Sequence, residues 1–95
     1  MENKALITTD SGFTCSIDTS AMDDMRIMDA LIDLQNGTRM EQIVALRTIL
    51  ERLLGKDQKD ALYEHLEAKT GRAGTIAVQA ELLDIFNKIG EAGKK

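Results

Sequence analysis

Thr38-Arg39-Met40-Glu41-Gln42-Ile43-Val44-Ala45-Leu46-Arg47-Thr48-Ile49-Leu50-Glu51-Arg52-Leu53-Leu54-Gly55 is the stretch on which the fold turns. Thr38 and Glu41 stand three apart, the spacing of a capping box, in which each side chain satisfies a backbone N–H orphaned at the helix start. Ile43, Leu46, Leu50, Leu53 and Leu54 then recur at spacings of three and four, which gathers them on one helical face. Ile49 and Val44 widen that stripe. Gly55 is expected to stop the helix, since glycine reaches left-handed backbone at little cost. This helix is expected to form the centre of the core.

The segments on either side arrange themselves around it. Asp57 reads as the cap of a third helix to about Lys69, with Ala61, Leu62 and Leu66 as a thin buried side, which predicts a peripheral position. Thr70-Gly71 follows that helix, and Arg72-Ala73-Gly74 reads as a linker. Thr75 caps a fourth helix to Ile89, with Val78, Leu82, Ile85, Phe86 and Ile89 as its core stripe. Gly90 ends it, and residues 91–95 read as a flexible tail. Upstream, Ser20 with Asp23 resembles a capping pair for a first helix running to Gln35, ended by Asn36-Gly37 with the glycine in a left-handed cap. Before that, Leu6 to Thr9 are strand formers, Asp10-Ser11-Gly12 is a turn cluster, and Phe13 to Ile17 alternate apolar and polar residues. The pattern predicts a short β-hairpin over residues 5–17, with Phe13, Cys15 and Ile17 on the face that packs against helices. The expected architecture is mainly α, a small four-helix domain with an N-terminal β-hairpin, over residues 1–90.

Composition narrows the function. Ninety-five residues make one small domain, and 43% hydrophobic with 29% charged side chains is a globular balance. Twelve basic against sixteen acidic residues leave a net charge of -4, the wrong sign for a general nucleic-acid binder. One Cys and one His exclude a Cys/His zinc site. The lone Cys suits a reducing compartment. No apolar run reaches the roughly 18–20 residues that span a bilayer, and Met1-Glu2-Asn3-Lys4 lacks the pattern of a signal peptide, so the expected address is cytosolic.

The first helix is the odd element. Met22, Met25, Ile27, Met28, Ala30, Leu31, Ile32 and Leu34 cover more than half of its circumference, and only Arg26, Asp29 and Asp33 form a polar strip. A helix that apolar is either central or exposes part of its surface to a partner. Methionine suits both roles, because its unbranched thioether fills irregular gaps and adapts to varied surfaces. The candidate partner-binding residues are Met22, Met25, Met28 and Leu34. Ile76 and Leu83, seven apart on the fourth helix and outside its core stripe, are second candidates.

Chemistry is mostly excluded. Cys15 and His65 would need hydrogen-bond reach and a third orienting group to act as a dyad. Each reads better as structural, Cys15 as inward strand filler and His65 at the edge of an apolar stripe. Asp29 and Asp33 share a helix face, but no calcium-binding loop accompanies them. No metal, cofactor or catalytic site is expected. The second and third helices have the length and turn of a helix-turn-helix, which gives an alternative function as a small DNA-associated regulator. Asp57, Asp60, Glu64 and Glu67 on its would-be recognition helix oppose that reading by charge.

The chain resembles the small tail assembly chaperones of long-tailed bacteriophages and prophages, particularly those of Gram-positive hosts. The resemblance is carried by Ser11-Gly12-Phe13-Thr14-Cys15-Ser16-Ile17, Asp23-Asp24-Met25-Arg26, Leu53-Leu54-Gly55-Lys56-Asp57-Gln58, Leu62-Tyr63-Glu64-His65-Leu66, Gly71-Arg72 and Ile85-Phe86, in that order across nearly the whole chain. Relatives often continue the Gly-Arg pair with a bulky residue and proline, where this chain has Ala73-Gly74. The resemblance implies a non-catalytic protein that binds the tape measure protein and keeps it soluble while tail tube subunits polymerise around it. It implies residence in the host cytoplasm and absence from the mature virion. It also implies a longer frameshifted form that recruits tail tube protein, and Gly93-Lys94-Lys95 is compatible with a slippery run of bases. A homo-oligomer is another use for the same apolar helix face.

Overall fold

Period-two alternation sets the hairpin. In the computed structural model, which describes residues 4–92 without the side chains of residues 22, 91 and 92, β1 (Lys4–Thr8) pairs antiparallel with β2 (Thr14–Asp18). Ala5 faces Ile17 and Ile7 faces Cys15 across the ladder. Ile7, Phe13, Cys15 and Ile17 are buried, so one side of the hairpin is core. The turn closes through the Thr9 N–H on the Phe13 carbonyl at 2.8 Å and the Gly12 N–H on the Thr9 carbonyl at 2.9 Å.

The helices follow in sequence, and their number differs from expectation. A 3-10 turn spans Thr19–Asp23, α1 spans Met25–Asn36, α2 Arg39–Thr70 and α3 Thr75–Ala92. The expected four-helix domain is therefore corrected to three helices with a two-stranded hairpin. Gly55 does not end the second helix. It alone leaves helical geometry, at φ 80° and ψ 165°, and the helix resumes on its far side. The deviation is a sharp bend without a connecting loop. Tyr63 and Ile43 line one groove, whereas twenty residues of straight helix would separate them by about 30 Å. The two halves of α2 are thus folded back on each other. The second half is not peripheral either, since Leu62 and Leu66 are buried, while Ala61 is exposed.

Two boundaries shift for identifiable reasons. Asp18 caps the 3-10 turn through the Ser20 N–H, and Asp24 caps α1 by accepting from the Arg26 N–H at 2.8 Å. The first helix therefore starts at Met25, after a separate turn. Gly37 ends α1 with extended backbone and no left-handed cap. It is required there because a Cβ would lie 2.6 Å from the Asp33 carbonyl oxygen. At the other end, α3 runs on through Gly90 to Ala92. Of the expected tail, residues 93–95 lie outside the described residues. The capping box at Thr38 and Glu41 is present in both directions.

The core joins all layers. Ile17 from the hairpin, Ile27 from α1, Ile49, Leu50 and Leu62 from α2, and Leu82 and Ile85 from α3 are fully enclosed. One polar clamp locks the hairpin onto the bend. Gln58, in the first turn after Gly55, accepts the Ser16 N–H at 2.7 Å and donates to the Ser16 carbonyl at 2.9 Å. Its amide also donates to the Leu54 carbonyl at 2.8 Å, on the near side of the bend. Lys59 crosses the same bend to Glu51 at 2.6 Å, with its ammonium above the Tyr63 ring.

Leu50→Ala is expected to cost about 2–5 kcal/mol in urea unfolding, the range for truncating an enclosed leucine. A loss below about 1 kcal/mol contradicts its central place. Gln58→Ala is expected to cost about 1–3 kcal/mol by unpairing the Ser16 backbone. Gln58→Glu does not restore the loss, because a carboxylate accepts but cannot donate.

Candidate functional site

The reactive groups come first, and they read as structure. Cys15 is buried in the core, and its thiol is pushed up to about 11, mainly by burial and also by the charge of Glu81. That suppresses the thiolate, the nucleophilic form. His65 does not join it. Its Nε2 sits 3.1 Å from the Ser11 hydroxyl, and its ring tilts against Phe13 with centroids 5.6 Å apart.

Ser11 leads into a polar chain that the sequence reading missed. The Ser11 hydroxyl is 3.1 Å from the Thr9 hydroxyl, which donates to the buried Glu81 carboxylate at 2.8 Å. The Asp10 N–H donates to Asp84 at 2.7 Å, and Lys88 bridges Asp10 and Asp84 at 3.0 and 2.8 Å. Lys69 donates to the Ser11 carbonyl at 3.1 Å. These contacts tie one hairpin turn to α2 and α3 at once. The Lys88 ammonium holds Asp84 below the usual carboxylate range. No sequence signal marks this arrangement, because its members are scattered over Thr9 to Lys88. Among the described residues, no cluster of three or more His, Cys, Asp or Glu could hold a metal.

Apolar surface is where the molecule departs from a closed domain. The first half of α2 is flanked by two grooves on opposite sides. One, of about 420 Å³, runs between α1 and α2 with Met25, Asp29, Ala30 and Asp33 on the α1 side and Val44 and Ala45 on the other. Ala30 and Ala45 are buried small residues and form its floor, while Met25 is 66% and Val44 57% exposed. The second groove, of about 220 Å³, is lined by Ile43, Leu46, Arg47, Tyr63, Thr75 and Val78, among others.

The six candidate residues separate. Met25 lines the first groove. Met28 is half-buried against the core. Leu34 is corrected from partner surface to core, at 6% exposed, because it falls on the α1 face shared with Ile27 and Ala30. The side chain of Met22 lies outside the described residues. Ile76, 81% exposed, lines a small cleft with Arg39 and Thr75, and Leu83 is exposed further along α3. Met25 and Ile76 therefore lie beside different grooves. Ile43 and Val44, expected in the core stripe, are exposed, as are Ile32 and Met40. Met40, Ile43 and Val44 follow helical spacing, so a helical projection of α2 carries the missing signal.

Among the described residues, no helix is long and apolar enough to cross a membrane. Comparison with protein-family models, with curated proteins and with solved structures finds no match.

The shifted thiol makes a direct prediction. At pH 8, Cys15 of the native chain is expected to react with a thiol reagent on the order of 100-fold more slowly than in urea, since burial pushes the thiol up to about 11 and suppresses the thiolate. Equal rates in both conditions would contradict its burial.

Proposed function

We propose that this chain is a phage tail assembly chaperone that binds the tape measure protein stoichiometrically and keeps it soluble in the host cytoplasm until the tail tube encloses it. The observation that carries the reading is the exposed apolar surface along α1 and the first half of α2, where Met25, Ile32, Met40 and Val44 all face outward. A soluble domain rarely leaves so many large apolar side chains on adjoining helices without a partner to cover them. A long helical client with an apolar stripe is a suitable partner, because an amphipathic helix lays that stripe into such a surface. The net charge of -4 supports solubility of the complex and opposes indiscriminate self-association. The order and spacing of the family-like motifs supply the identity of the client. Attachment to tail tube protein through a longer frameshifted form belongs to the same proposal.

Nothing observed favours the DNA-associated alternative. Asp57, Glu64 and Glu67 are exposed on the second half of α2, where their charge repels phosphate.

Co-expression with the tape measure protein of the same phage is expected to move that protein into the soluble fraction and allow its capture with this chain. Met25→Asp is expected to reduce capture at least about ten-fold with little change in melting temperature, because the side chain is exposed. Leu34→Asp is expected to unfold the chain by burying a charge. Soluble wild-type chain that captures no tape measure protein would overturn the reading.

A further inference from the structure

The groove between α1 and α2 has a chemistry of its own. Its floor is Ala30 and Ala45, two buried residues too small to fill the space between the helices. Its rim is split. The α1 wall carries the exposed apolar side chain of Met25 and, following it along the helix, the carboxylates of Asp29 and Asp33, while the α2 wall carries the exposed Val44. Among the described residues, neither carboxylate has an ion-pair partner, whereas Asp24, Glu51, Asp60 and Asp84 all do. Asp29 and Asp33 are one helical turn apart, and their α1 flank continues into Arg26 at the N-terminal end of the groove.

From this arrangement we infer that the groove takes one amphipathic helix of a partner chain, whose apolar stripe is flanked on one side by Lys or Arg. A trough between two helices receives the ridge of a third. Two carboxylates four residues apart stand about 6 Å apart along the helix axis, the same separation as two cations four residues apart on a facing helix. The free rim charges select against an acidic flank, because like charges placed together at an interface are strongly unfavourable. A second copy of this chain is a poorer occupant. Two copies, each with a net charge of -4, repel one another at long range. The inference rests on the chaperone reading for the partner's identity, and on the groove alone for the partner's chemistry.

Two fluorescein-labelled peptides of about 18 residues, roughly five helical turns, separate the possibilities. Both carry the same leucine stripe, flanked by lysine in one and glutamate in the other. In fluorescence anisotropy at low salt, the full chain is expected to bind the lysine peptide at least about ten-fold more tightly. Asp29→Lys with Asp33→Lys is expected to invert that preference. Asp57→Lys with Glu64→Lys changes the net charge equally at exposed positions away from the groove, and is expected to leave the preference in place. Thermal melts establish that both double variants are folded. The inference is overturned if the chain binds neither peptide, or if the distant pair inverts the preference as well as the groove pair does. Capture of the tape measure protein keeps the two readings apart. Undiminished capture by the folded Asp29/Asp33 variant removes the groove from the interface and leaves the chaperone reading standing. Peptide discrimination as expected, without capture by the wild-type chain, does the reverse.

Discussion

At Gly55 the backbone turns through φ 80° and ψ 165°, and the placement of every other helix depends on that turn. A 32-residue helix without it would extend about 48 Å and could enclose nothing. Folded back, its two halves place Leu50 and Leu62 in one core with Ile17 of the hairpin and Leu82 of α3. A side chain at position 55 would meet no steric obstacle, so the demand for glycine lies in the backbone angle, which L-residues disfavour. Gln58 and the Lys59–Glu51 pair then hold the bend, one by clamping the β2 backbone and the other by spanning the two halves.

The same bend creates the unfinished surface. The first half of α2 is the central element, with α1 on one flank and its own second half with α3 on the other. Three helical elements and a hairpin do not encircle it, and a groove remains on each side. The two differ in character. The α1 side carries Asp29 and Asp33 beside Met25 and Val44. The α3 side carries Arg47 beside Ile43 and Tyr63, next to a cleft with Arg39 and Ile76. This difference gives the exposed apolar residues of α2 an acidic and a basic border. The proposed partner would thereby be selected by charge pattern as well as by apolar area.

Local signals in the sequence carried far, and long-range ones did not. The Thr38–Glu41 box, the α3 stripe from Val78 to Ile89 and the inward Phe13, Cys15 and Ile17 all follow from spacing within a few residues. Gly55 was legible as punctuation, but a terminating glycine and a bending one look alike without the dihedral angles. The phase of α1 was ambiguous because apolar residues nearly surround it. Spacing alone could not decide that Leu34 faces inward and Met25 outward, a choice made by α2 packing against Ile27 and Ala30. Val44 reads as core from spacing alone for the related reason that α2 has apolar residues beyond its buried arc. The Gln58 clamp and the Glu81–Thr9–Ser11–His65 chain join residues as much as 72 positions apart, and a single sequence contains no pattern for such pairs.

Hydrogen exchange of the backbone amides, measured with and without the tape measure protein, tests the central claim most directly. Covering the α1–α2 groove is expected to slow exchange within residues 25–36 and 39–48, while the second half of α2 and the hairpin stay unchanged. Slowed exchange confined to the hairpin or to residues 56–70, with residues 25–48 unaffected, would contradict the assignment of this surface to the partner.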